Sequence, residues 1–132
     1  DIALCAIDDE SNEVIYAGAY NPLLLIKNGE IVKHKATRAS IGGSQIIRKK
    51  NFVNQTVKVD PGDSIYIFSD GMPDQFGGPN NRKFTTKRLQ EELLSIQNEK
   101  MVAQQLLMED TIDIWMENYE QIDDMILVGV RF

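Results

Sequence analysis

The order in which two periodicities follow one another constrains this chain's fold more than any single residue does. Short apolar runs of strand character come first, two helical stripes stand side by side after them, and one more apolar run, Met125 to Val130, closes the chain. Ile2 to Ile7 and Glu13 to Ala17 read as strands joined by the polar turn Asp8-Asp9-Glu10-Ser11-Asn12. Leu23 to Ile26 and Ile31 to Lys33 flank Asn28-Gly29, a pair that tolerates the left-handed dihedrals of a two-residue hairpin turn. From Phe52 to Val59 the residues alternate, with Val53, Val57 and Val59 on one face. Pro61-Gly62 marks a turn, and Ser64 to Phe68 is the next strand. Thr85 or Thr86 can cap the first helix, whose stripe is Leu89, Leu93 and Ile96. The second helix runs from Glu99 to Tyr119, with Met101, Met108, Ile112, Trp115 and Tyr119 on one side and Val102 and Met116 beside them. Hairpins favour antiparallel pairing and grouped helices favour segregated layers, so the expected class is α+β.

Composition bounds the rest. The 132 residues are one domain's worth, and 42% hydrophobic with 26% charged residues is the balance of a globular chain. A net charge of -6 argues against nucleic acid as a partner, because neutralising phosphates takes clustered Lys and Arg. The basic cluster Arg48-Lys49-Lys50 has no aromatic interleaving and reads as a solvated turn. Cys5, the one cysteine, makes no internal disulfide and reads as strand packing. With His34 the one histidine, a zinc site of the usual Cys/His type is not available. The apolar runs fall well short of a bilayer span, so direct membrane contact is not expected from this segment. The chain opens directly on an apolar run without a methionine, and the expectation is a piece cut from something longer.

Two acidic positions stand out. Asp70, with Gly71 beside it, follows the strand Ser64 to Phe68, and Asp123-Asp124 precede the final strand. If those strands are antiparallel neighbours, the end of one meets the start of the other. Converging carboxylates suit Mg²⁺ or Mn²⁺, hard cations that favour oxygen donors. Gly71 would let the backbone pass close by. The same letters equally describe an ordinary turn after a strand and an ordinary loop residue before one. A nucleophilic triad has no support, because no histidine stands near Ser40, Ser44, Ser64 or Ser69. Gly42-Gly43 lacks the Gly-Lys-Ser/Thr that a nucleotide loop requires.

Several segments together resemble a known family. Tyr16-Ala17-Gly18-Ala19-Tyr20-Asn21-Pro22 is similar to the Tyr-Ala-Gly-Ala-His/Asn-Asn-Pro segment of bacterial phosphatase domains related to stage II sporulation protein E. Leu24-Leu25-Ile26 with Asn28-Gly29 resembles that family's next hairpin, and Ile41-Gly42 its Leu/Ile-Gly step. Gly62-Asp63-Ser64-Ile65-Tyr66-Ile67-Phe68-Ser69-Asp70-Gly71 resembles its Gly-Asp strand leading into Thr/Ser-Asp-Gly. Asp74, Phe76 and Gly77 fall where the family often has an acid followed by Phe-Gly. Gln121-Ile122-Asp123-Asp124-Met125 resembles its terminal Asp-Asp-hydrophobic motif. The matches run in family order over essentially the whole chain. Tyr20 departs from the frequent His or Asn, and Ala39-Ser40 from the usual residue and proline before Ile41-Gly42.

The resemblance implies a metal-dependent protein serine/threonine phosphatase of the PPM type. Its fold would be a sandwich of two antiparallel sheets flanked by helices, with this chain forming the C-terminal part of a single domain and the N-terminal portion absent. Asp70 and Asp123 would be metal ligands and catalytic residues, with Gly71, Asp74 and Asp124 around them. Two ions, Mn²⁺ or Mg²⁺, would serve the complete domain, and metal-activated water would attack the phosphoester. The family's bridging Asp and Gly-His-Gly stretch have no counterpart in these residues, so the resemblance implies an incomplete site and an inactive isolated fragment. The implied partner is a phosphorylated regulatory protein in a cytoplasmic setting, with sigma-factor regulation as the signalling context. Two other functions stand beside this one: a non-catalytic module that binds a phosphoprotein, and a structural part of a larger sensor. A truncated sandwich would also leave open edges, so self-association is expected.

Overall fold

The computed structural model describes residues 1–8, 10–42 and 51–132. Asp9, Gly43, Ser44 and the basic cluster Arg48-Lys49-Lys50 lie outside them. Six strands come first: β1 (Ile2–Asp8), β2 (Glu13–Ala19), β3 (Leu23–Lys27), β4 (Glu30–His34), β5 (Gln55–Lys58) and β6 (Ser64–Phe68). A one-turn helix α1 (Gly71–Asp74) and the small hairpin β7 (Phe76–Gly77) and β8 (Arg82–Lys83) follow. Helices α2 (Thr86–Ser95) and α3 (Met101–Met116) lead to the closing strand β9 (Leu127–Arg131). The class is α+β, with a three-stranded sheet in the order β1-β2-β5 and a four-stranded sheet in the order β4-β3-β6-β9. All the pairs in both sheets are antiparallel.

The four-stranded sheet is the middle layer, which explains its unbroken apolar runs. Alternation along β3 and β6 sends Leu24, Ile26, Tyr66 and Phe68 toward Leu89 and Leu93 of α2 and Met108 and Ile112 of α3. The intervening Leu23, Leu25 and Ile65 pack against Val14, Tyr16 and Val57 of the smaller sheet. Burial on both faces calls for apolar residues at every position rather than at every second one. The β3–β4 hairpin closes on Asn28 and Gly29, both at positive φ (53° and 77°), the pairing a two-residue I′ turn requires. Thr85 caps α2 by accepting from the Arg88 amide.

Three sequence expectations change. The alternation from Phe52 shortens to β5 at Gln55–Lys58, and Val53 is exposed. Helix α3 is shorter than Glu99 to Tyr119, which leaves Tyr119 beyond its end, and Val102 faces solvent. The core place between Met101 and Met108 belongs to Gln104, a polar residue that an apolar-stripe reading passes over. Its side chain accepts from the Tyr66 hydroxyl at 2.6 Å and donates to the Glu99 carbonyl at 3.0 Å. A buried amide is tolerated when its bonds are satisfied. Arg131 works in the same region, donating to Ser64 Oγ at 3.2 Å and to the carbonyls of Glu99 and Gln97, which ties β9 to the connection between α2 and α3.

Tyr16 gives the Tyr-Ala-Gly-Ala segment its physical meaning. Its ring lies over Gly18, where a Cβ would come within 2.1 Å of the phenol oxygen, and its hydroxyl donates to the Asn21 carbonyl at 2.7 Å. Tyr20 holds φ at +65°, a left-handed conformation that Asn and His accept more readily than a bulky aromatic residue. Cys5 pairs across from Tyr16, and partial burial pushes its thiol up from its ordinary value, as befits packing rather than nucleophilic use.

On the outer face of the smaller sheet Ile2, Leu4 and Ile15 are exposed, Leu4 by 64%, and β1 is an edge strand. Burial pushes the Tyr16 phenol up to about 12 and moves that of Tyr66 upward as well. Raised folded-state values mean that the neutral phenols contribute stability below about pH 10, the ordinary tyrosine value, and that this is lost as the pH climbs through the folded value. In an ultraviolet tyrosinate titration, Tyr16→Phe is expected to remove one late-titrating phenol, and the alkaline fall in urea-melt stability should become shallower. An unchanged late titration in Tyr16→Phe would show the group to be another tyrosine.

Candidate metal site

The β6–β9 ladder pairs Phe68 with Leu127 and does not stop at the strand ends. The Ser69 amide donates to the Ile126 carbonyl at 3.0 Å. The Ser69 hydroxyl donates to the Asp124 carbonyl at 2.8 Å and accepts from the Ile126 amide at 2.9 Å. A serine side chain therefore extends the pairing toward Asp123 after the regular ladder has ended. The sequence marks Ser69 as a turn residue, as an unsupported nucleophile and as part of the resembling Ser-Asp-Gly motif, and none of these readings assigns it the backbone bonds it makes here.

Gly71 then sits against the opposing backbone. A Cβ there would come within 2.3 Å of the Asp124 carbonyl oxygen and 2.8 Å of its carbon, so a side chain would drive the two segments apart. Asp70, between Ser69 and Gly71, occupies the N-cap position of α1 with φ -74° and ψ -14°, and its side chain makes no capping hydrogen bond. The carboxylate is thereby not consumed by the helix it precedes. On the other segment, Asp123 Oδ1 accepts from the Asp124 amide at 2.8 Å, and Gln121 Nε2 donates to the Asp123 carbonyl at 2.8 Å. These bonds hold the backbone that carries the second carboxylate.

Asp70, Asp123 and Asp124 are all exposed. Hydrated carboxylates at a rigid junction have the hard oxygen chemistry that suits Mg²⁺ and Mn²⁺. Among the described residues, no group of three or more His, Cys, Asp or Glu side chains gathers closely enough to hold a metal ion. The residues present fit a share of a hard-cation site and fall short of a whole one. Asp74 is engaged elsewhere: it pairs with Lys83 of β8 at 3.1 Å, with both side chains about half exposed, where an ion pair contributes little. The β7–β8 hairpin is held down by the Gly78 amide donating to the Trp115 carbonyl at 2.8 Å and by an edge-on Phe84–Trp115 contact at 5.7 Å.

The family model for stage II sporulation protein E matches residues 1–132. This chain belongs to the stage II sporulation protein E family. Its fold is that of the PPM-type, PP2C-like phosphatase domains of bacteria, and family membership places it in the metal-dependent phosphatase superfamily. The SiaA-PP2C domain of Pseudomonas aeruginosa superposes with a TM-score of 0.87 at 25% identity, over 98% of this chain and 50% of that one. The PP2C phosphatase domain with a regulatory-domain fragment of the Bacillus subtilis cell fate determinant SpoIIE gives 0.72 at 21% identity, over 98% and 37%. The RsbU and RsbW domains of Rv1364c from Mycobacterium tuberculosis give 0.72 at 22%, over 98% and 35%. The chain thus spans half the length of these solved structures or less. No curated protein sequence matches it significantly. Among the described residues, no helix is long and apolar enough to cross a membrane.

Gly71→Ala tests the close approach at the junction. It is expected to lower stability by about 1–3 kcal/mol, as overpacking does, and to shift the amide resonances of Asp123 and Asp124 more than those of the β1–β2 hairpin. Wild-type stability with unmoved resonances would show that the segments do not meet at Gly71.

Proposed function

We propose that these residues form the C-terminal part of a protein serine/threonine phosphatase domain, contributing Asp70 and Asp123 to a site for two divalent ions, Mn²⁺ or Mg²⁺. The observation that carries the reading is the β6–β9 junction, where Ser69 and Gly71 bring the Asp70 and Asp123 segments together in a chain of this family. The remaining donors, including the bridging carboxylate, come from the part of the domain that this chain does not contain. The half-length coverage of the solved relatives and the shortage of a third acidic donor support that division.

Within the site, Asp70 and Asp123 hold charge and orientation. The divalent ions, when bound, supply Lewis acidity toward the phosphoryl oxygens and lower the pKa of the attacking water. The backbone junction fixes where the two carboxylates stand, so that no reorganisation is needed as the P–O bond breaks. Inorganic phosphate leaves, and the serine or threonine oxygen takes up a proton. Asp124 contributes through its carbonyl, which Ser69 holds, while Asp74 is taken up by its pair with Lys83. The substrate is a phosphorylated regulatory protein in the cytoplasm, in the setting of sigma-factor control that the resemblance to the stage II sporulation protein E family implies.

In the complete polypeptide, manganese-dependent phosphate release from a phosphoserine protein is expected to fall by about a hundredfold or more in kcat/KM on Asp70→Ala or Asp123→Ala, the loss of several kcal/mol of charge stabilisation. Failure of the complete polypeptide to turn over any phosphoprotein would favour the non-catalytic binding reading. The 132-residue chain alone is expected to be inactive, and clear turnover that disappears in Asp70→Ala would overturn its incompleteness.

The chain by itself is also expected to associate. Edge strand β1 carries no lysine or proline to discourage pairing, and Ile2, Leu4 and Ile15 lie exposed on the outer face beside it. Light scattering at micromolar concentration should give a mass above that of the monomer, reduced by Leu4→Lys. A monomer throughout would exclude this.

A further inference from the structure

The backbone from Glu120 to Asp124 belongs to no strand or helix, yet the proposed site needs Asp123 held still. Its C-terminal side is tied through Asp124 and Ile126 to Ser69. Its N-terminal side is tied by a residue from the turn after α1. Gln75 is fully buried at 0% exposure. Its Nε2 donates to the Glu120 carbonyl at 2.9 Å, and its Oε1 accepts from the Ile122 amide at 3.2 Å. A carbonyl and an amide on either side of one residue, here Gln121, are the two groups that a parallel neighbouring strand would bond. The amide side chain of Gln75 stands in for that neighbour's peptide group.

Gln75 is itself fixed. Its carbonyl accepts from the Phe84 amide at 2.8 Å and from Trp115 Nε1 at 3.3 Å, and Nε2 also donates to the Phe76 carbonyl at 3.0 Å. With water excluded, leaving such groups unpaired is costly, so the bonds hold the loop firmly. The two anchors, Ser69 and Gln75, stand on either side of Asp70 and α1. They grip the Asp123 loop on either side of Asp123. The spacing between the two acidic segments is therefore set twice, and the ladder supplies one of the two constraints.

We propose that Gln75 is a positioning residue of the metal site: its buried side-chain amide, bonded to Glu120 and Ile122, fixes Asp123 relative to Asp70. The inference rests on the reading of Asp70 and Asp123 as metal donors, and it concerns a residue that touches neither substrate nor ion. Gln75→Met keeps the length of the side chain and removes all of its hydrogen bonds. Gln75→Glu keeps an acceptor for Ile122 and loses both donor bonds.

The test uses the 132-residue chain, with amide hydrogen exchange measured without metal and Mn²⁺ line broadening measured by NMR titration. In Gln75→Met, exchange at Ile122 and Asp124 should quicken by about tenfold or more while Leu24 and Tyr66 in the core stay near wild type. The Mn²⁺ concentration that half-broadens the Asp70 and Asp123 amides should rise by about tenfold, as for other residues that orient metal ligands. Gln75→Glu, which keeps the Ile122 acceptor and loses the bond to Glu120, should quicken exchange at Asp124 and raise the Mn²⁺ midpoint, and these two readouts decide the matter if the methionine variant does not fold. Unchanged exchange at Ile122 and Asp124 would overturn the inference. A rise spread evenly through the core would also overturn it, because Gln75 would then serve general stability. Should wild type show no selective broadening, or broadening that survives Asp123→Ala, the metal reading fails, and the exchange measurement still decides what Gln75 holds.

Discussion

The antiparallel ladder between β6 and β9 joins two stretches that the chain separates by α1, the β7–β8 hairpin and both long helices. Opposite strand directions are what make it useful. Where β6 ends, β9 begins, so whatever follows Phe68 must meet whatever precedes Leu127. A parallel arrangement would have left Asp70 and Asp123 at opposite ends of the sheet. The ladder is continued beyond its last regular pair by the Ser69 hydroxyl, and the absence of a Cβ at Gly71 lets the backbones close.

That ladder can be rigid because its β6 strand and the neighbouring β3 are buried on both faces. Leu24, Ile26, Tyr66 and Phe68 meet the helices, and Leu23, Leu25 and Ile65 meet the smaller sheet. Fully burying each such side chain is worth about 1.5–3 kcal/mol, so β3 and β6 are the last elements expected to open. Several polar groups in this interior are bonded in pairs and clamps: Tyr66 with Gln104, and Arg131 with Ser64 and the carbonyls of Gln97 and Glu99. The smaller sheet differs, with one face in the core and Ile2, Leu4 and Ile15 exposed on the other.

Much of the fold was legible in local letters. Ser64–Phe68 stands as read, Asn28-Gly29 turns where its dihedral tolerance requires, and Thr85 caps where a hydroxyl before an amphipathic stripe should. The misreading of the α3 stripe has a tertiary cause. Helix α3 takes Gln104 into the core and turns Val102 to solvent, which hydrophobicity alone would not choose. The choice depends on a Tyr66 hydroxyl from a distant strand that needs an acceptor. At the candidate site, Asp70, Gly71 and Asp123 were visible as residues at strand ends and Ser69 as a motif letter without an anchoring role, whereas Gln75 had no signal that a one-dimensional reading could use. A hydroxyl or an amide becomes an anchor only when a specific backbone group arrives opposite it.

The sequence by itself determined the types and order of the longer elements, and with them the antiparallel character of the sheets, because periodicity and turn chemistry act over a few residues; the one-turn helix α1 and the two-residue strands β7 and β8 are too short to leave a periodic signal. It also placed acidic residues at the two ends that such sheets bring together, and its ordered motifs pointed to the phosphatase family. Tertiary structure alone decided how those ends are held. The Ser69 bonds, the close approach at Gly71, the pairing of Asp74 with Lys83 and the Gln75 amide beneath Gln121 all depend on contacts between distant segments. Directional bonds and steric gaps of a few ångströms are set by packing in three dimensions, and neighbouring letters in the chain do not record them.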